Sequence, residues 1–176
     1  ITSDYPAFEQ LLGNMWETMY EANGVGLAAP QVGIAIRLFI VDASPFADDD
    51  ELTEEEQKQL TGFKKVFINP QIEESGEEWA FNEGCLSIPD IREDVYRQEE
   101  IQIRYWDENF KEHTEQYSGL AARVIQHEYD HIEGVLFTDK LSPLKKRLIK
   151  GKLNNIAKGN IDVDYKMRFP LASKKR

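Results

Sequence analysis

The chain has 176 residues, of which 41% are hydrophobic and 30% are charged, and its net charge is −11 at pH 7. This length predicts a single domain over residues 1–176. The composition excludes a membrane-spanning chain, because no stretch approaches the ~18 apolar residues that a membrane helix needs. The single cysteine, Cys85, excludes an internal disulfide and fits a reducing compartment.

The first third of the chain predicts a helix, a strand and an acidic insertion. Apolar side chains recur at helical spacing over residues 7–22, whereas residues 34–42 are apolar and β-branched, which is typical of a strand. The acidic, polar residues 43–62 indicate a surface insertion. Within it, Thr53 followed three residues later by Glu56 is the pattern of a capping box and predicts a short helix.

The middle of the chain predicts more strands. Residues 64–84 contain two strand candidates, and we expect Asn69 and Pro70 to separate them. Residues 101–119 alternate apolar and polar side chains around Asp-Glu-Asn, which favours a hairpin.

Two helices complete the predicted order of elements. Residues 119–133 have helical spacing, and residues 142–159 begin with Ser142 as N-cap and Pro143 at the first helical position. The order favours the α+β class, with antiparallel sheets around a central helix at residues 119–133 and a C-terminal helix.

Residues 123–134, RVIQHEYDHIEG, contain a His-Glu-x-x-His motif that predicts a metal site. His127 and His131 are four residues apart, so on a helix their imidazoles leave one face and can bind the same ion. Glu128 points about 100° around the helix, where it can reach a metal-bound water without binding the metal itself.

The third protein ligand does not follow from this motif. Proteases with the motif take a downstream Glu or His, yet residues 134–176 contain neither, and Phe137 stands where a metzincin has its third histidine. Cys85 is the only cysteine and lies on a constrained Glu-Gly-Cys turn, so we favour Cys85 with water at an open fourth position. The other candidates are one upstream histidine and three downstream aspartates: His113, Asp139, Asp162 and Asp164.

Three blocks together resemble the peptide deformylase family: GVGLAAPQVG (24–33), EGCLSIP (83–89) and QHEYDHIEG (126–134). The resemblance implies a cytoplasmic hydrolase that removes the formyl group from the N-terminal formyl-methionine of new polypeptides and releases formate. It implies one Fe²⁺ per chain, replaceable by Ni²⁺, Co²⁺ or Zn²⁺. Family members usually carry an N-terminal strand before the first helix, which this sequence lacks. Bacterial origin is expected, and an organellar one stays open.

The resemblance also assigns roles in the reaction. Glu128 is implied as general base and then general acid. The Gln31 side-chain amide and the Leu86 backbone N–H are implied as donors to the oxyanion, and the Gly26 backbone as a hydrogen-bond partner of the substrate. Gly24 and Gly26 are expected to let the backbone approach the metal and the substrate closely.

The remaining implied residues hold the substrate or the fold. Glu83 is implied as a buried carboxylate paired with Arg97, and Arg92 as a contact to the substrate's peptide backbone. Val25 and Val124 are candidates for the methionine pocket, and plain core packing is an equal alternative for both. Asp130 is expected to be a solvated helix residue.

Two other function classes compete with this interpretation. A metalloprotease with a different third ligand would tolerate Cys85→Ala, and a non-catalytic metal-binding module would tolerate Glu128→Ala. Separately, residues 140–176 hold 12 of the 21 Lys and Arg but only two of the 32 acidic residues, a net charge of +10. The helical part of this tail, about residues 140–160, is either a solvated helix or a contact to the ribosome.

Overall fold

The computed structural model describes residues 1–171, so the last five residues of the basic tail lie outside the described part. The α+β class is confirmed. The helices of the described chain are α1 (Phe8–Glu21), α2 (Glu54–Leu60), α3 (Gly119–Ile132) and α4 (Pro143–Lys158). Its strands are β1 (Gly26–Ala28), β2 (Leu38–Asp42), β3 (Lys64–Cys85), β4 (Ile88–Trp106) and β5 (Glu112–Ser118).

The described strands form one five-stranded sheet in chain order, β1-β2-β3-β4-β5. The pairs β1–β2, β2–β3 and β4–β5 are antiparallel, with Ile40 opposite Val66 and Tyr105 opposite His113. The hairpin predicted at residues 101–119 is confirmed. The three-residue strand β1 was not predicted, because the glycine-rich block around it lacks the alternation of a strand.

The predicted break at Asn69 and Pro70 is wrong, because β3 runs through both residues. Asn69 adopts the left-handed region, with φ of 47°, and its backbone N–H donates to the Arg37 carbonyl at 2.8 Å. Its side chain accepts from the Ile1 amino group at 2.7 Å and donates to the Ile1 carbonyl at 2.8 Å. These bonds support a local kink, so the strand continues past a residue pair that usually ends one.

The predicted helix ends are confirmed. Thr53 accepts from the N–H of Glu56 at 3.3 Å, and Glu56 accepts from the N–H of Thr53 at 2.9 Å, which completes the capping box of α2. Ser142 Oγ accepts from a first-turn N–H of α4 at 3.3 Å, Pro143 is the first residue of that helix, and Gly159 ends it with φ of 75°. Local side-chain chemistry therefore sets these boundaries.

The chain divides into two compact units. Within the described chain, the first comprises residues 1–79 and 97–135, and the second comprises residues 80–96 and 136–171. The core of the first includes Met15, Met19, Leu27, Leu38, Ile40, Val66 and Ile68. The core of the second consists of Ile88, Ile91, Val95, Phe137, Leu141, Ile149 and Ile156. The single domain over residues 1–176 stays a prediction. No helix within residues 1–171 is both long and apolar enough to cross a membrane.

Candidate metal and catalytic site

Helix α3 places both motif histidines on one face. The rings of His127 and His131 lie 5.0 Å apart between centroids, with an angle of 80° between their planes. Burial, and then the neighbouring charges of His127 and Arg97, lower the pKa of His131 to about 3. A neutral imidazole at ordinary pH offers a lone pair to a metal ion.

Cys85 ends β3, and β4 begins three residues later at Ile88. Among the described residues, Cys85, His127 and His131 form a group that can hold a metal ion, and their potential ligand atoms all lie within 4.8 Å of one another. One thiolate and two imidazoles suit Zn²⁺ and first-row metals, and three protein ligands leave a coordination position open for water or substrate. The residues present therefore fit the ion that the sequence predicts.

The alternative third ligands do not belong to this group. His113 Nε2 lies 2.7 Å from Asp107 Oδ2, and its ring stacks on Tyr105 at 5.3 Å between centroids. The Asp139 carboxylate accepts from the Leu136 N–H at 2.9 Å and so caps a 3₁₀ turn. Both side chains therefore have structural partners of their own.

Glu128 is buried against a glycine of β1. Its side chain is 5% exposed, and a Cβ built on Gly26 would lie 2.7 Å from both Cγ and Cδ of Glu128. No real Cβ tolerates such a contact, so the glycine leaves the space that the carboxylate occupies. The sequence predicted close backbone approach at Gly26, but not that Glu128 takes the space.

Gln31 lies in the 3₁₀ turn Ala29–Val32 that follows β1. Its Oε1 accepts from the backbone N–H of Ala28 at 2.8 Å. This bond fixes which end of the amide is the oxygen, so the orientation of the two Nε2 hydrogens is fixed as well.

The backbone of Leu86 has a partner that the sequence did not predict. Its carbonyl accepts from the Tyr165 hydroxyl at 2.7 Å. Burial, and then the charges of Cys85 and Asp90, raise the pKa of Tyr165, so its hydroxyl keeps the proton that it donates. The two residues are 79 positions apart, and no local pattern could have paired them.

Arg92 lies beside the cysteine turn but is engaged within its own hairpin. Its Nε donates to Asn82 Oδ1 at 2.9 Å and its Nη2 donates to the Asn82 carbonyl at 2.5 Å. A Cβ on Gly84 would lie 2.8 Å from Arg92 Nη1, so the guanidinium lies directly over that glycine. The contact of Arg92 to substrate stays a prediction.

The expectation that Asp130 is solvated is wrong. Its carboxylate lies 2.6 Å from Arg97 Nη1, and the two side chains are 15% and 1% exposed. The sequence could not show this pair, because β4 and α3 meet only in the folded chain. Glu83 is buried at 4% exposure, as implied, and its pairing with Arg97 stays a prediction.

The three remaining predicted residues have defined backbone or packing environments. Gly24 donates its N–H to the Met19 carbonyl at 2.9 Å, so it belongs to the C-terminal stop of α1. Val25 offers its carbonyl to the Asp42 N–H at 2.8 Å. Val124 is 8% exposed on α3, about one turn before the first motif histidine. Their roles toward substrate stay predictions.

A buried glutamate between two histidines of one helix, with a thiol close to the same imidazoles, is the arrangement expected of a metallohydrolase site. The family description "Polypeptide deformylase" matches residues 2–147. A peptide deformylase of Christiangramia forsetii is 70% identical and aligns with 100% of this chain and 90% of its own length. One of Flavobacterium johnsoniae is 61% identical, again over 100% and 90%. The chain therefore belongs to the peptide deformylase family, hydrolases that remove the N-formyl group from nascent peptides.

Solved structures agree with this assignment. A peptide deformylase from Legionella pneumophila superimposes with a TM-score of 0.74 at 36% identity and covers 91% of this chain and 86% of its own. One from Synechococcus elongatus, in complex with actinonin, has a TM-score of 0.70 at 37% identity, with coverage of 91% and 78%.

Proposed function

We propose that this chain hydrolyses the formamide of N-terminal formyl-methionine with a metal ion held by Cys85, His127 and His131. The proximity of these three ligand atoms, all within 4.8 Å of one another, is the observation that carries the proposal. The bound ion would be Fe²⁺, or Ni²⁺, Co²⁺ or Zn²⁺ in its place. It would polarise the formyl carbonyl and lower the pKa of its bound water toward neutral pH.

Glu128 moves the proton in this proposal. Its buried carboxylate takes a proton from the attacking water and returns it to the departing amine, first as general base and then as general acid. The position of the carboxylate against Gly26 supports this role, because the glycine leaves room for it beside β1.

The developing negative charge on the formyl oxygen needs donors from the chain. We assign this task to the Gln31 side-chain amide and the Leu86 backbone N–H. The bond from the Ala28 N–H to Gln31 Oε1 supports the assignment, since it orients the amide before substrate arrives.

Substrate binding completes the proposal. The Gly26 backbone bonds to the substrate main chain, Gly24 and Val25 border it, and Val124 contributes to the pocket for the methionine side chain. Arg92 contacts the peptide backbone of the substrate.

The test is formate release from formyl-Met-Ala-Ser by protein loaded anaerobically with iron. Wild type should be active, while Glu128→Ala and Cys85→Ala should not, and Cys85→Ala should also hold less metal. Glu133→Ala, on the exposed end of the same helix, is the matched control and should keep full activity. Full activity and metal content in Cys85→Ala would contradict the ligand set. Cleavage of internal peptide bonds would instead favour a protease. Loading with nickel, cobalt and zinc in parallel ranks the candidate ions.

We further propose that α4 contacts the ribosome, in the cytoplasm of a bacterium. Lys146, Arg147 and Lys150 are exposed on this helix, beside Leu144 and Leu148, which are 66% and 72% exposed. A basic face attracts ribosomal RNA, and exposed leucines add apolar contact area.

This second proposal predicts salt-dependent binding to ribosomes. Charge reversal at Lys146 and Arg147 should weaken binding and reduce its salt dependence, whereas reversal at Lys145, which pairs with Glu93 at 3.0 Å, should weaken it less. Binding that is insensitive to salt and to these changes would exclude the contact.

A further inference from the structure

The chain continues past α4, and this continuation is folded back onto the second unit. Gly159 ends the helix with φ of 75°, and the backbone N–H of Asn160 donates to the Asn155 carbonyl at 2.9 Å. Together they turn the chain sharply, which sends residues 160–171 back along the unit rather than away from it.

Three contacts hold the returning segment in place. Ile161 packs against the core of the second unit. The ring of Phe169 lies directly over Gly159, where a Cβ would come within 2.8 Å of its Cδ2. The N–H of Leu171 donates to the Ala157 carbonyl at 2.8 Å. The segment is therefore anchored on both sides of Tyr165.

The anchored segment delivers the Tyr165 hydroxyl to the turn that follows Cys85. Leu86 and Ser87 form the two-residue loop between β3 and β4. In such a loop the flanking residues make the closing hydrogen bond, so the carbonyl of the first loop residue is available to another donor. Tyr165 supplies it, at 2.7 Å.

The backbone conformation of this loop explains why a hydrogen bond from outside the loop would stabilise it. The favoured two-residue hairpin turns place at least one central residue at positive φ. Among the described residues, the non-glycine positions with positive φ are Ala7, Asn23, Asn69, Asp90 and Phe110, which do not include Leu86 or Ser87. The loop is thus outside the favoured turn types, and a bond to its carbonyl helps to fix its peptide planes.

We propose that Tyr165 is a positioning residue for the reaction: through the Leu86 carbonyl it holds the Leu86 peptide units so that the Leu86 N–H points at the formyl oxygen. The inference rests on the proposed role of that N–H. It concerns a residue outside the family match, which covers residues 2–147. In this proposal Tyr165 acts on the reaction through the loop, by its bond to the Leu86 carbonyl.

The experiment compares Tyr165→Phe with wild type in the iron-loaded 176-residue chain. Losing one hydroxyl should lower kcat about fivefold, the rate equivalent of one ordinary hydrogen bond, with KM within about twofold of wild type. Metal content should stay at the wild-type value, and the unfolding temperature should fall by no more than about 4 °C, the effect of one ordinary hydrogen bond. Amide hydrogen exchange of peptides covering residues 85–88 should become faster. Loss of a tyrosine that only stabilises the fold would not combine a lower kcat with faster exchange at this loop.

Tyr96→Phe is the matched control, since Tyr96 is a 64% exposed tyrosine of the same unit. It should match wild type in every measurement. If Tyr165→Phe matches wild type in kcat and in exchange, the inference is wrong. A change in KM with unchanged kcat would also overturn it, because Tyr165 would then act on substrate binding. Failure of the proposed function looks different: wild type and Tyr96→Phe would then release no formate.

Discussion

The carboxylate of Glu115 accepts a hydrogen bond of 2.6 Å from the hydroxyl of Tyr105. The hydroxyl of Tyr117 donates to the same carboxylate oxygen, and Lys65 Nζ lies 3.0 Å from it. Burial by itself would raise the pKa of Glu115, but these three donors hold that pKa below its ordinary value. The folded chain therefore stabilises the ionised form of Glu115 relative to the unfolded chain.

This arrangement predicts that Glu115 contributes to stability at neutral pH but not in acid. A carboxyl whose pKa is lowered by folding contributes fully above its unfolded value, near 4.5, and the contribution is lost as pH falls through the folded pKa. Glu115→Gln should therefore lose less stability than wild type between pH ~7 and ~3.5. Urea unfolding at the two pH values measures this difference.

The matched control for this prediction is Glu112→Gln on the same strand. Glu112 lies 3.9 Å from Arg104 at a site where both side chains are 51% exposed. It should keep the wild-type difference in stability between the two pH values. Identical pH profiles for Glu115→Gln and wild type would show that the three donors do not act as proposed.

Gly26→Ala should abolish most activity without unfolding the protein. The new Cβ would meet Glu128 Cδ at 2.7 Å, so the carboxylate must move away from its present position. Loss of a positioned general base typically costs ~10²-fold or more, and we expect kcat to fall by about that factor. Steady-state formate release measures kcat, and circular dichroism checks that the variant is folded.

Gly13→Ala is the control for the glycine substitution. Nothing lies within 4 Å of a Cβ at Gly13, which is in the middle of α1, so alanine should leave kcat unchanged. It should also raise stability by about 0.5–1 kcal/mol, because alanine is the better helix residue. Equal activity of the two variants would mean that Glu128 can move without consequence.

Asp130→Ala should be strongly destabilising. Arg97 is 1% exposed, so the substitution takes a carboxylate at 2.6 Å away from a buried guanidinium, and breaking a buried ion pair typically costs about 3–5 kcal/mol. Glu133→Ala also breaks an ion pair on the same chain segment, with Arg37 at 2.6 Å, but those side chains are 40% and 41% exposed. Its cost should stay below about 1 kcal/mol. Denaturant unfolding at equal metal loading measures the free energy of unfolding of both variants. Similar losses would show that the burial of Arg97 does not make its ion pair more important.

The sequence predicted interactions between residues close together in the chain, but not contacts between residues far apart in it. The capping box at Thr53 and the N-cap at Ser142 are interactions within one turn, and both were predicted. The motif histidines of α3 were predicted for the same reason. The pair of Arg97 with Asp130 and the bond from Tyr165 to Leu86 join residues 33 and 79 positions apart, so no periodicity reports them. The predicted break at Asn69 is wrong because the side chain of Asn69 is bonded to Ile1, 68 positions away in the sequence.

Two glycines of the C-terminal helix should respond to alanine in opposite directions. Gly159 has φ of 75° and lies under the ring of Phe169, so Gly159→Ala should cost at least about 1 kcal/mol from backbone conformation alone. It should also loosen residues 160–171, which would show as faster amide exchange there and a lower kcat through Tyr165.

Gly151 lies inside α4 with nothing within 4 Å of a Cβ, so Gly151→Ala should raise stability by about 0.5–1 kcal/mol and leave exchange and kcat unchanged. If both variants shift the unfolding temperature in the same direction, the turn at Gly159 does not anchor the segment, and the support for Tyr165 must come from Ile161 and Leu171 instead.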